Sequence, residues 1–474
     1  MSTRIWIQFI LVSTMIASLP ATASDIEPID VLGDTIPGHW VYNEHFNQTL
    51  PTEDNWWARL DDSILDTLIT ISETHSADVL IAARRITIAR QALNTARAGY
   101  MPSINLNAGW TKSRSSGAMG DELTEATIGD YFNLGLSMSW EIDIFGKIYT
   151  KSKQQKALWN ASRADYAAVM TALSANIAKA YVQLRVYQAE WIVAQEHIKS
   201  QGKIVEITEA RHEAGLASML DVAQARQVYY STQASMPVLE ASIRNSIYSI
   251  CLLVGVYPRE LHNLLNEVRD MPDFRQIVPV GVPSELIRRR PDIVEAEYQL
   301  ASYAAALGIA KKDFLPTLTI NGSLGTSAHK FDNLFKNQSL TYSIAPTLSW
   351  TVFDGLTRKY NAVTAREQME IGIHQYNSAV MTAVEEVDVA ISSYLGSLNN
   401  IEVVEKVIEE SRKSLELSVD LYKRGLSPFN NVVSAQMSLL EYQNSLITSK
   451  GKALTALIAL YEALGGGWDE NYLE

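Results

Sequence analysis

The chain has 474 residues, of which 47% are hydrophobic and 20% are charged, with a net charge of −13 and one cysteine. The apolar content excludes a fully disordered chain, the single cysteine excludes an intrachain disulfide scaffold, and the acidic balance disfavours a general nucleic-acid binder. Helical membrane spans require about 20 consecutive apolar residues. Only the N-terminus approaches that length, so pumps and channels built from such spans are disfavoured.

The N-terminus has the pattern of an export signal. Arg4 precedes an interrupted apolar run over residues 5–19, and small residues follow up to Ala23. This order predicts a signal peptide at residues 1–23, with a membrane anchor as the alternative. No cysteine lies near the predicted cleavage point, so we expect no lipid attachment there. Cys251 stands in an apolar stretch and is expected to pack as a small hydrophobic residue.

Four segments of the chain recur in the same order, 210 to 214 residues further on. The pairs are 98–107 with 312–321, 136–140 with 346–350, 214–216 with 424–426, and 253–255 with 463–465. Four matches in one order predict two structural repeats. Each repeat is expected to contain a helix, two strands, a very long helix, a turn and a helix.

Four segments of about ten residues show alternating apolar and small or polar residues, with tryptophans toward segment ends. The apolar positions are Ile104, Leu106, Ala108, Trp110, Phe132, Leu134, Leu136, Met138, Trp140, Leu318, Ile320, Leu324, Tyr342, Ile344, Pro346, Leu348 and Trp350. A membrane β-barrel strand needs this pattern, with one face toward lipid and the other toward the lumen. A half-buried soluble hairpin alternates in the same way and is the alternative.

Two long stretches favour very long helices. Residues 151–211 contain no proline and one glycine, and residues 357–423 contain no proline and two glycines. A helix of ~60 residues spans ~90 Å, which is too long for one compact domain. Alanine-rich positions and charges of both signs are typical of a coiled coil beside solvent.

The number of strands decides how a barrel can form. One chain supplies four strands, which cannot close, and an open sheet edge in lipid leaves backbone groups without partners. Two copies give eight strands, usually filled by side chains, whereas three copies give twelve and allow a wide pore. The predicted fold class is therefore mainly α with a membrane β-barrel: a trimeric 12-stranded β-barrel that continues into an α-helical barrel.

Four groups of residues carry a family resemblance. They are Trp56 and Trp57 with Asp61 and Leu65, WEIDIFGK at 140–147, VPSELIRRRPDI at 282–293, and ALIALYEALGGGW at 456–468. In these groups the chain resembles the TolC-like outer-membrane factors, in the branch that serves resistance-nodulation-division pumps. The resemblance covers essentially the whole mature chain.

The resemblance implies a homotrimeric exit duct of a tripartite efflux system. Such a duct passively conducts drugs or other small molecules through a multi-spanning barrel in the cell outer membrane and a helical barrel in the periplasm. The implied partners are a periplasmic adaptor (membrane fusion) protein and an inner-membrane resistance-nodulation-division transporter, with no enzyme activity, cofactor or metal. A periplasmic coiled-coil adaptor and the outer-membrane component of a type I protein secretion system are the alternatives.

The resemblance also suggests a division of the chain. The first repeat is placed at residues 24–255, with an N-terminal belt segment and a hairpin at about 103–141. An equatorial linker follows at 256–285. The second repeat is placed at 286–474, with a hairpin at about 317–352 and a C-terminal segment.

Two corners, residues 211–221 and 421–431, would form the periplasmic tips. The candidate gate residues are Asp221, Tyr422, Asn431 and Ser434. The candidate adaptor-docking residues are Arg211, Gly215, Leu216, Arg424, Gly425 and Leu426. Asn431 and Ser434 stand where the family usually has acidic residues, so the acidic gate of the second repeat is absent. Asp221 matches in the first repeat, either as a gate residue or as a cap or first-turn carboxylate of a helix.

Threefold symmetry would bring three Asp221 carboxylates together at the narrow end. Two unit charges 4 Å apart interact by ~4 kcal/mol at an effective dielectric of 20, so a bare ring repels itself. We expect Arg211, Lys423, Arg424 or a bound cation to neutralise this charge.

Other charged and glycine-rich motifs receive structural interpretations. Residues 288–290 are interpreted as a charged loop that opens a helix at Pro291. Glu385 and Glu386 are interpreted as solvated or lumen-facing side chains without a partner motif. The glycines at 465–467 are expected to terminate a helix. The eight histidines are scattered, and we find no catalytic or metal-binding pattern.

Overall fold

The computed structural model describes residues 55–116, 125–126, 128–273, 275 and 289–468. All of them belong to one compact unit of the chain, residues 37–474. The predicted signal peptide and belt segment before residue 55 lie outside the described residues. So do the end of the predicted linker, the motif up to residue 288, and the last six residues.

Five elements recur in the same order in the two halves. The first half contains α1 (Ser63–His75), α2 (Ala77–Ala98), β1 (Ser103–Arg114), β2 (Ile128–Ile142), α3 (Lys147–Glu213), α4 (Met219–Val254) and α5 (Pro258–Asn266). The second half contains α6 (Pro291–Lys312), β3 (Thr317–Ala328), β4 (Leu340–Ser349), α7 (Thr357–Lys423) and α8 (Phe429–Ala463). The series from α2 to α4 thus recurs from α6 to α8, which is the order that the recurring segments predict.

The two longest helices, α3 and α7, have 67 residues each and are ~100 Å long. Gly146 precedes α3 and Gly355 lies just before α7; both have positive φ, so the chain reverses where glycine costs least. The Asp143 carboxylate accepts hydrogen bonds from two backbone N–H groups in the first turn of α3, at 3.0 and 2.8 Å. None of the helices in the described ranges has both the length and the apolar character required to cross a membrane.

The four strands form one antiparallel sheet in the order β1-β2-β3-β4. The register places Leu106 opposite Leu136, Leu136 opposite Leu324, and Leu324 opposite Tyr342. Directly opposed residues lie on the same face, so the apolar sets of all four strands share one face. The other face carries mainly serine, threonine, asparagine and small residues, together with Tyr131 and Glu141. The apolar face is largely exposed in the single chain, and the outer edges of β1 and β4 have no strand partner among the described residues.

The helix-to-strand junctions of the two halves use the same contact. The indole Nε1 of Trp140 donates to the carbonyl oxygen of Tyr100 at 2.9 Å. The indole Nε1 of Trp350 donates to the carbonyl oxygen of Phe314 at 3.0 Å. Each tryptophan therefore ties the end of the second strand in its hairpin to the chain that enters the first.

A buried polar network joins α1, α3 and the segment after α5. The Tyr181 hydroxyl donates to Asp62 at 2.6 Å, and Arg185 donates to that hydroxyl at 2.8 Å. Arg185 is fully buried and also donates to Gln188 and to the carbonyl oxygen of Glu267. Burial, together with the bond to Asp62, raises the pKa of Tyr181, so its hydroxyl stays a donor. Buried charge is tolerated here because most of its donors are matched.

The charges at the start of α6 are joined by ion pairs: Glu386 is exposed on α7, as expected of a solvated side chain, but it has a partner in Arg290. Arg290 is buried and contacts Asp292 and Glu386, each at 2.7 Å, and the carbonyl oxygen of Ala463 at 3.1 Å. Burial alone lowers the pKa of Arg290, but the two carboxylates outweigh that effect and the net pKa is raised. The start of α6 is thereby pinned to α7 and to the end of α8. Pro291 is the first residue of α6, as predicted.

Two smaller predictions are confirmed. Cys251 is buried in α4, where it packs as a small hydrophobic residue. The helix α8 ends at Ala463, and Gly465 follows with a φ of 74°. Gly466 and Gly467 approach Trp56, which stacks on Tyr461 at a centroid distance of 5.4 Å.

Candidate functional site

The first corner, residues 211–221, joins α3 to α4. After α3 ends, the amide of Leu216 donates to the carbonyl oxygen of Arg211 at 2.8 Å, and Gly215 has a φ of 72°. Ser218 is the N-cap of α4, because the amide of Asp221 donates to its Oγ at 3.2 Å. The same Oγ donates to Asp221 Oδ1 at 2.9 Å. Asp221 is therefore a first-turn carboxylate, where the helix dipole favours negative charge.

The second corner, residues 421–431, joins α7 to α8 with the same backbone. The amide of Leu426 donates to the carbonyl oxygen of Leu421 at 2.9 Å, and Gly425 has a φ of 73°. The helix α8 follows Pro428, whose side chain offers no cap. Both glycines therefore occupy the left-handed turn predicted for them, and the side chains that follow differ between the corners.

Tyr422 connects the two corners. Its hydroxyl donates to Asp221 Oδ2 at 3.4 Å, and its ring lies beneath the guanidinium of Arg211 at 5.0 Å. Arg211 Nη1 donates to the carbonyl oxygen of Lys423 at 2.6 Å. Burial, and then the charge of Asp221, raises the pKa of Tyr422, so the hydroxyl remains protonated and able to donate. One aromatic residue thus contacts both an acid and a base of the opposite corner.

An apolar cluster holds the corners together beneath these polar contacts. Its buried members are Ile204, Ala225, Tyr422, Phe429 and Val432. The rings of Tyr422 and Phe429 are 5.0 Å apart. Because the cluster draws on α3, α4, α7 and α8, the position of each corner depends on the other.

The single chain brings no cation into direct contact with Asp221 among the described residues. Within the described ranges, no Lys or Arg lies within ion-pair distance of Asp221. Arg424 instead pairs with Asp420 at 2.9 Å, one turn back on α7. Arg211 reaches Asp221 only through Tyr422. The neutralisation of three Asp221 carboxylates by these cations of the assembled copies or by a bound cation stays a prediction.

The remaining candidate residues are solvent-facing. Asn431 is exposed and donates to Ser427 Oγ at 2.9 Å, and Ser434 is exposed on α8. Leu216 and Leu426 are 67% and 71% exposed, so each corner presents a large apolar side chain to its surroundings. The structure groups Asp221, Tyr422 and Arg211, and it leaves Asn431 and Ser434 outside that group.

A known protein family matches most of this chain. The family model described as outer membrane efflux protein matches residues 68–256 and 282–466, more than three quarters of the chain. The chain belongs to the outer membrane efflux protein family. Nodulation protein T of Rhizobium leguminosarum bv. trifolii is 28% identical over 415 residues, covering 87% of this chain and 88% of that protein. The pyoverdine export outer membrane protein OpmQ of Pseudomonas aeruginosa is 27% identical, with 96% and 95% covered.

Solved structures of outer-membrane channels share the fold. The outer-membrane channel OprN superposes with a TM-score of 0.85 at 27% identity, covering 91% of this chain and 97% of that one. The outer membrane protein VceC of Vibrio cholerae superposes with a TM-score of 0.80 at 25% identity, covering 89% and 100%. This efflux protein is thus a TolC-like outer-membrane factor, an exit duct of the type that serves resistance-nodulation-division pumps.

The family consists of efflux channel components and is not an enzyme family. In the described part of this efflux protein, no group of three or more His, Cys, Asp or Glu residues is arranged to hold a metal ion. The chemistry that the two corners offer is hydrogen bonding and charge.

Sequence reasoning missed some features of this efflux protein. A cavity of about 990 Å³ lies between α3, α7 and α8, with Glu190 and Lys452 among its lining residues. Burial raises the pKa of Glu190, which also accepts from Thr448 at 3.4 Å. The cavity walls come from helices that are far apart in the sequence, so no local pattern signals it. The contact of Arg211 with Tyr422 was missed for the same reason.

Proposed function

We propose that three copies of this chain close a 12-stranded β-barrel through the outer membrane and conduct small molecules outward without transforming them. The observation that carries this proposal is the four-stranded sheet, which has one apolar face and two edge strands that find no strand partner in the described ranges. In lipid, the apolar face meets hydrocarbon, while the edges require partners from other copies.

The height of the apolar face supports a membrane location. The ten residue steps from Phe132 to Ile142 span ~34 Å at ~3.4 Å per residue. Strands of outer-membrane barrels tilt by ~35–45°, which reduces this length to a height of ~24–28 Å. The apolar band of such barrels is ~25 Å tall.

Strand direction supports closure by identical copies. The strands alternate in direction from β1 to β4, so β1 and β4 run in opposite directions. When β4 of one copy lies beside β1 of the next, the new pair is antiparallel like all the others. Every edge is then paired in a closed ring, which removes the exposed backbone groups.

The helical end supplies the periplasmic part of the duct. The helices α3 and α7 extend ~100 Å from the sheet to the corners. We propose that Asp221 and Tyr422 hold the closed gate, with Asn431 and Ser434 as uncharged positions beside it. The exposed Leu216 and Leu426, with Arg211, Gly215, Arg424 and Gly425, form the surface on which a periplasmic adaptor docks. The adaptor joins the duct to an inner-membrane resistance-nodulation-division transporter.

The proposed division of the chain follows the repeats. A signal peptide at residues 1–23 directs export, and the barrel alone anchors the protein, without lipid. The first repeat occupies residues 24–255 and the second 286–474. The linker at 256–285 joins them and contributes, with the chain ends, to an equatorial belt.

The cargo is proposed to be chemically varied. Relatives are named for the export of pyoverdine, for the efflux of toluene and for the efflux of antibiotics. These compounds share little beyond their small size. A duct lined by small polar residues accepts such variety, and selection then rests with the pump that loads it.

Closure is tested by disulfide cross-linking of membranes that contain the full chain. In a Cys251→Ala background, Asn107→Cys on β1 is combined in turn with Thr341→Cys, Ser343→Cys or Ala345→Cys on β4. All four positions lie on the polar face near the middle of the sheet. One pair is expected to give a covalent trimer on oxidation, and each single-cysteine chain is the control. Ladders that stop at the dimer, or monomers with all three pairs, would overturn the trimer.

A further inference from the structure

The cavity between α3, α7 and α8 has the dimensions of a small-molecule site. Its volume of about 990 Å³ lies at the upper end of the ~300–1,000 Å³ that ligand pockets usually have. Along α8 its lining extends from Thr448 to Ala463, which is ~22 Å at ~1.5 Å per residue. One copy of the chain supplies all the lining residues, so the cavity forms without a second copy.

Small and apolar side chains line the middle of the cavity. Gly451, Ala456 and Ala459 contribute from α8, while Val186 and Val389 contribute from α3 and α7. Val389 is 56% exposed in the single chain, so the cavity opens to solvent on that side. This middle stretch accommodates an elongated apolar body.

The charged residues of the lining are mostly paired, and acids exceed bases among them. Arg290 pairs with Asp292 and Glu386, and Glu462 pairs with Lys179 at 2.6 Å. The other charged lining residues are Glu190 and Lys452. Four carboxylates therefore stand against three cations, even when Lys179 is included from outside the lining. This balance favours a cationic ligand over an anionic one.

Glu190 is the acid that lacks a cation. Among the described residues it has no ion pair, and the exposed Lys452 makes none either. The Thr448 hydroxyl approaches the Glu190 carboxylate at 3.4 Å, but it lies only 2.9 Å from the carbonyl oxygen of Asn444. A hydroxyl has one proton to donate, and the shorter contact is the better hydrogen bond. Glu190 therefore retains most of its capacity to accept hydrogen bonds.

A second polar group on α3 lines the cavity without a partner. Thr171 is 6% exposed, and its Oγ1 has no hydrogen-bond partner among the described residues. Buried hydroxyls are normally hydrogen-bonded, so a partner within the cavity would be favoured here. Thr171 and Glu190 are ~28 Å apart along the axis of α3. These two polar groups thus lie near opposite ends of the cavity, with the apolar side chains between them.

We propose that this cavity binds an elongated amphiphilic amine. Its ammonium group contacts Glu190, its apolar body lies along the small side chains, and a hydrogen-bonding group at its other end reaches the Thr171 hydroxyl. An ammonium group supplies the charge-assisted donors that Glu190 lacks. The site is separate from the proposed gate and docking surface at the corners. It does not depend on closure of the barrel, because one copy supplies all its walls.

The test measures the fluorescence anisotropy of a dansyl probe with the purified full-length protein, at constant detergent concentration. The charged probe is N-dansyl-1,12-diaminododecane, in which a long alkyl chain separates a primary amine from a sulfonamide. Its N-acetylated form keeps the apolar body and removes the charge. Glu190→Gln removes the carboxylate charge, and Thr171→Val removes the hydroxyl, each at nearly constant volume. Glu196→Gln is the matched control, because Glu196 is an exposed acid of α3 that does not line the cavity.

The wild type is expected to bind the amine ~10-fold more tightly than the acetylated probe, because hydrogen bonds between charged groups are stronger than neutral ones. Glu190→Gln should abolish this difference, Thr171→Val should weaken both probes ~5-fold, and Glu196→Gln should bind like the wild type. Equal affinity of the wild type for the two probes, or unchanged binding by Glu190→Gln or Thr171→Val, would overturn the proposal. Equal losses in Glu190→Gln and Glu196→Gln would also overturn it, because they would show non-specific attraction by surface charge.

Channel recordings separate this site from the proposed duct. Conducting wild-type trimers that bind both probes equally defeat the amine site alone. Wild-type protein that prefers the amine but forms no conducting trimer in a planar bilayer defeats the duct alone. If a variant does not assemble, the comparison of the two probes on the wild type decides the question without it.

Discussion

The sheet and the corners are the two ends of each repeat, and the repeats have diverged differently at each. In the sheet, both halves keep the same chemistry: Trp140 and Trp350 make the same junction contact, and both hairpins share one apolar face. At the corners, both halves keep the same backbone. The first corner has Ser218 and Asp221, whereas the second has Pro428 and Asn431.

This contrast reflects what each end contacts in the proposed duct. Lipid hydrocarbon stabilises any apolar side chain, so both hairpins are under the same demand and stay alike. A gate and a docking surface depend on individual hydrogen bonds and charges. The two corners therefore differ in side chains while the turn that positions them is retained.

The largest expected effect concerns the sheet. Leu136→Arg places a charge on the apolar face and should destabilise the membrane-inserted protein by ~2–4 kcal/mol. Ser137→Arg, on the opposite face, is the matched control and should be milder because that face meets water. Unfolding by denaturant in lipid vesicles measures both. Equal destabilisation would show that neither face contacts lipid.

The next effect tests the shared backbone of the corners. Gly215→Val and Gly425→Val each force a β-branched residue into a left-handed turn, at a cost of ~1–2 kcal/mol. Both variants should lose transport while trimers still insert, as measured by drug susceptibility and by gel analysis of membranes. Gly396→Val, on exposed helix with open space around it, is the control. Normal export by Gly425→Val would contradict docking at this corner.

A smaller effect tests the difference between the corners. Asp221→Ala removes the acid that contacts Ser218 and Tyr422, so cation selectivity should fall and closed-state conductance should change in single-channel recordings. Asn431→Ala, at the equivalent position of the second corner, should change neither. If Asp221→Ala only lowers thermal stability by ~1 kcal/mol, its role is local support of the helix start.

The smallest effect is expected from removing the hydroxyl group of Tyr422. Tyr422→Phe keeps the ring beneath Arg211 and removes a hydrogen bond of 3.4 Å, so stability should fall by less than ~1 kcal/mol. The folded pKa of Tyr422 is raised, so its contribution is present below the usual tyrosine pKa of ~10 and is lost only as the pH rises toward the folded value. The difference in melting temperature between the wild type and Tyr422→Phe should therefore stay constant up to about pH 10. A difference that disappears below pH 8 would contradict a role for the protonated Tyr422 hydroxyl.

Local sequence patterns predicted most of the fold. Alternation around Leu136 identified the strand and the face it presents, because side-chain period is a property of the strand itself. The absence of proline marked α3 and α7, and the recurring glycines marked Gly215 and Gly425. Each of these features depends on neighbours within a few residues.

Local sequence patterns could not predict contacts between residues that are far apart in the chain. Arg290 and Glu386 stand far apart in the sequence, so a charged loop before a helix gave no sign that Arg290 is buried against α7. Arg424 had a local partner, Asp420, four residues earlier, and an i,i+4 check would have found it. The joining of Arg211, Tyr422 and Asp221 required knowing that the two corners lie side by side.

The unpaired edges of the four-stranded sheet also govern how the duct accumulates. In the proposed trimer a single copy leaves two sheet edges unpaired in the membrane, so we expect insertion and association to be coupled, and at equilibrium the amount of assembled duct would follow the cube of the free chain concentration. Well below saturation, halving the supply of exported chain lowers the number of ducts about eightfold. The geometry of two strand edges would thus make export capacity depend steeply on gene expression.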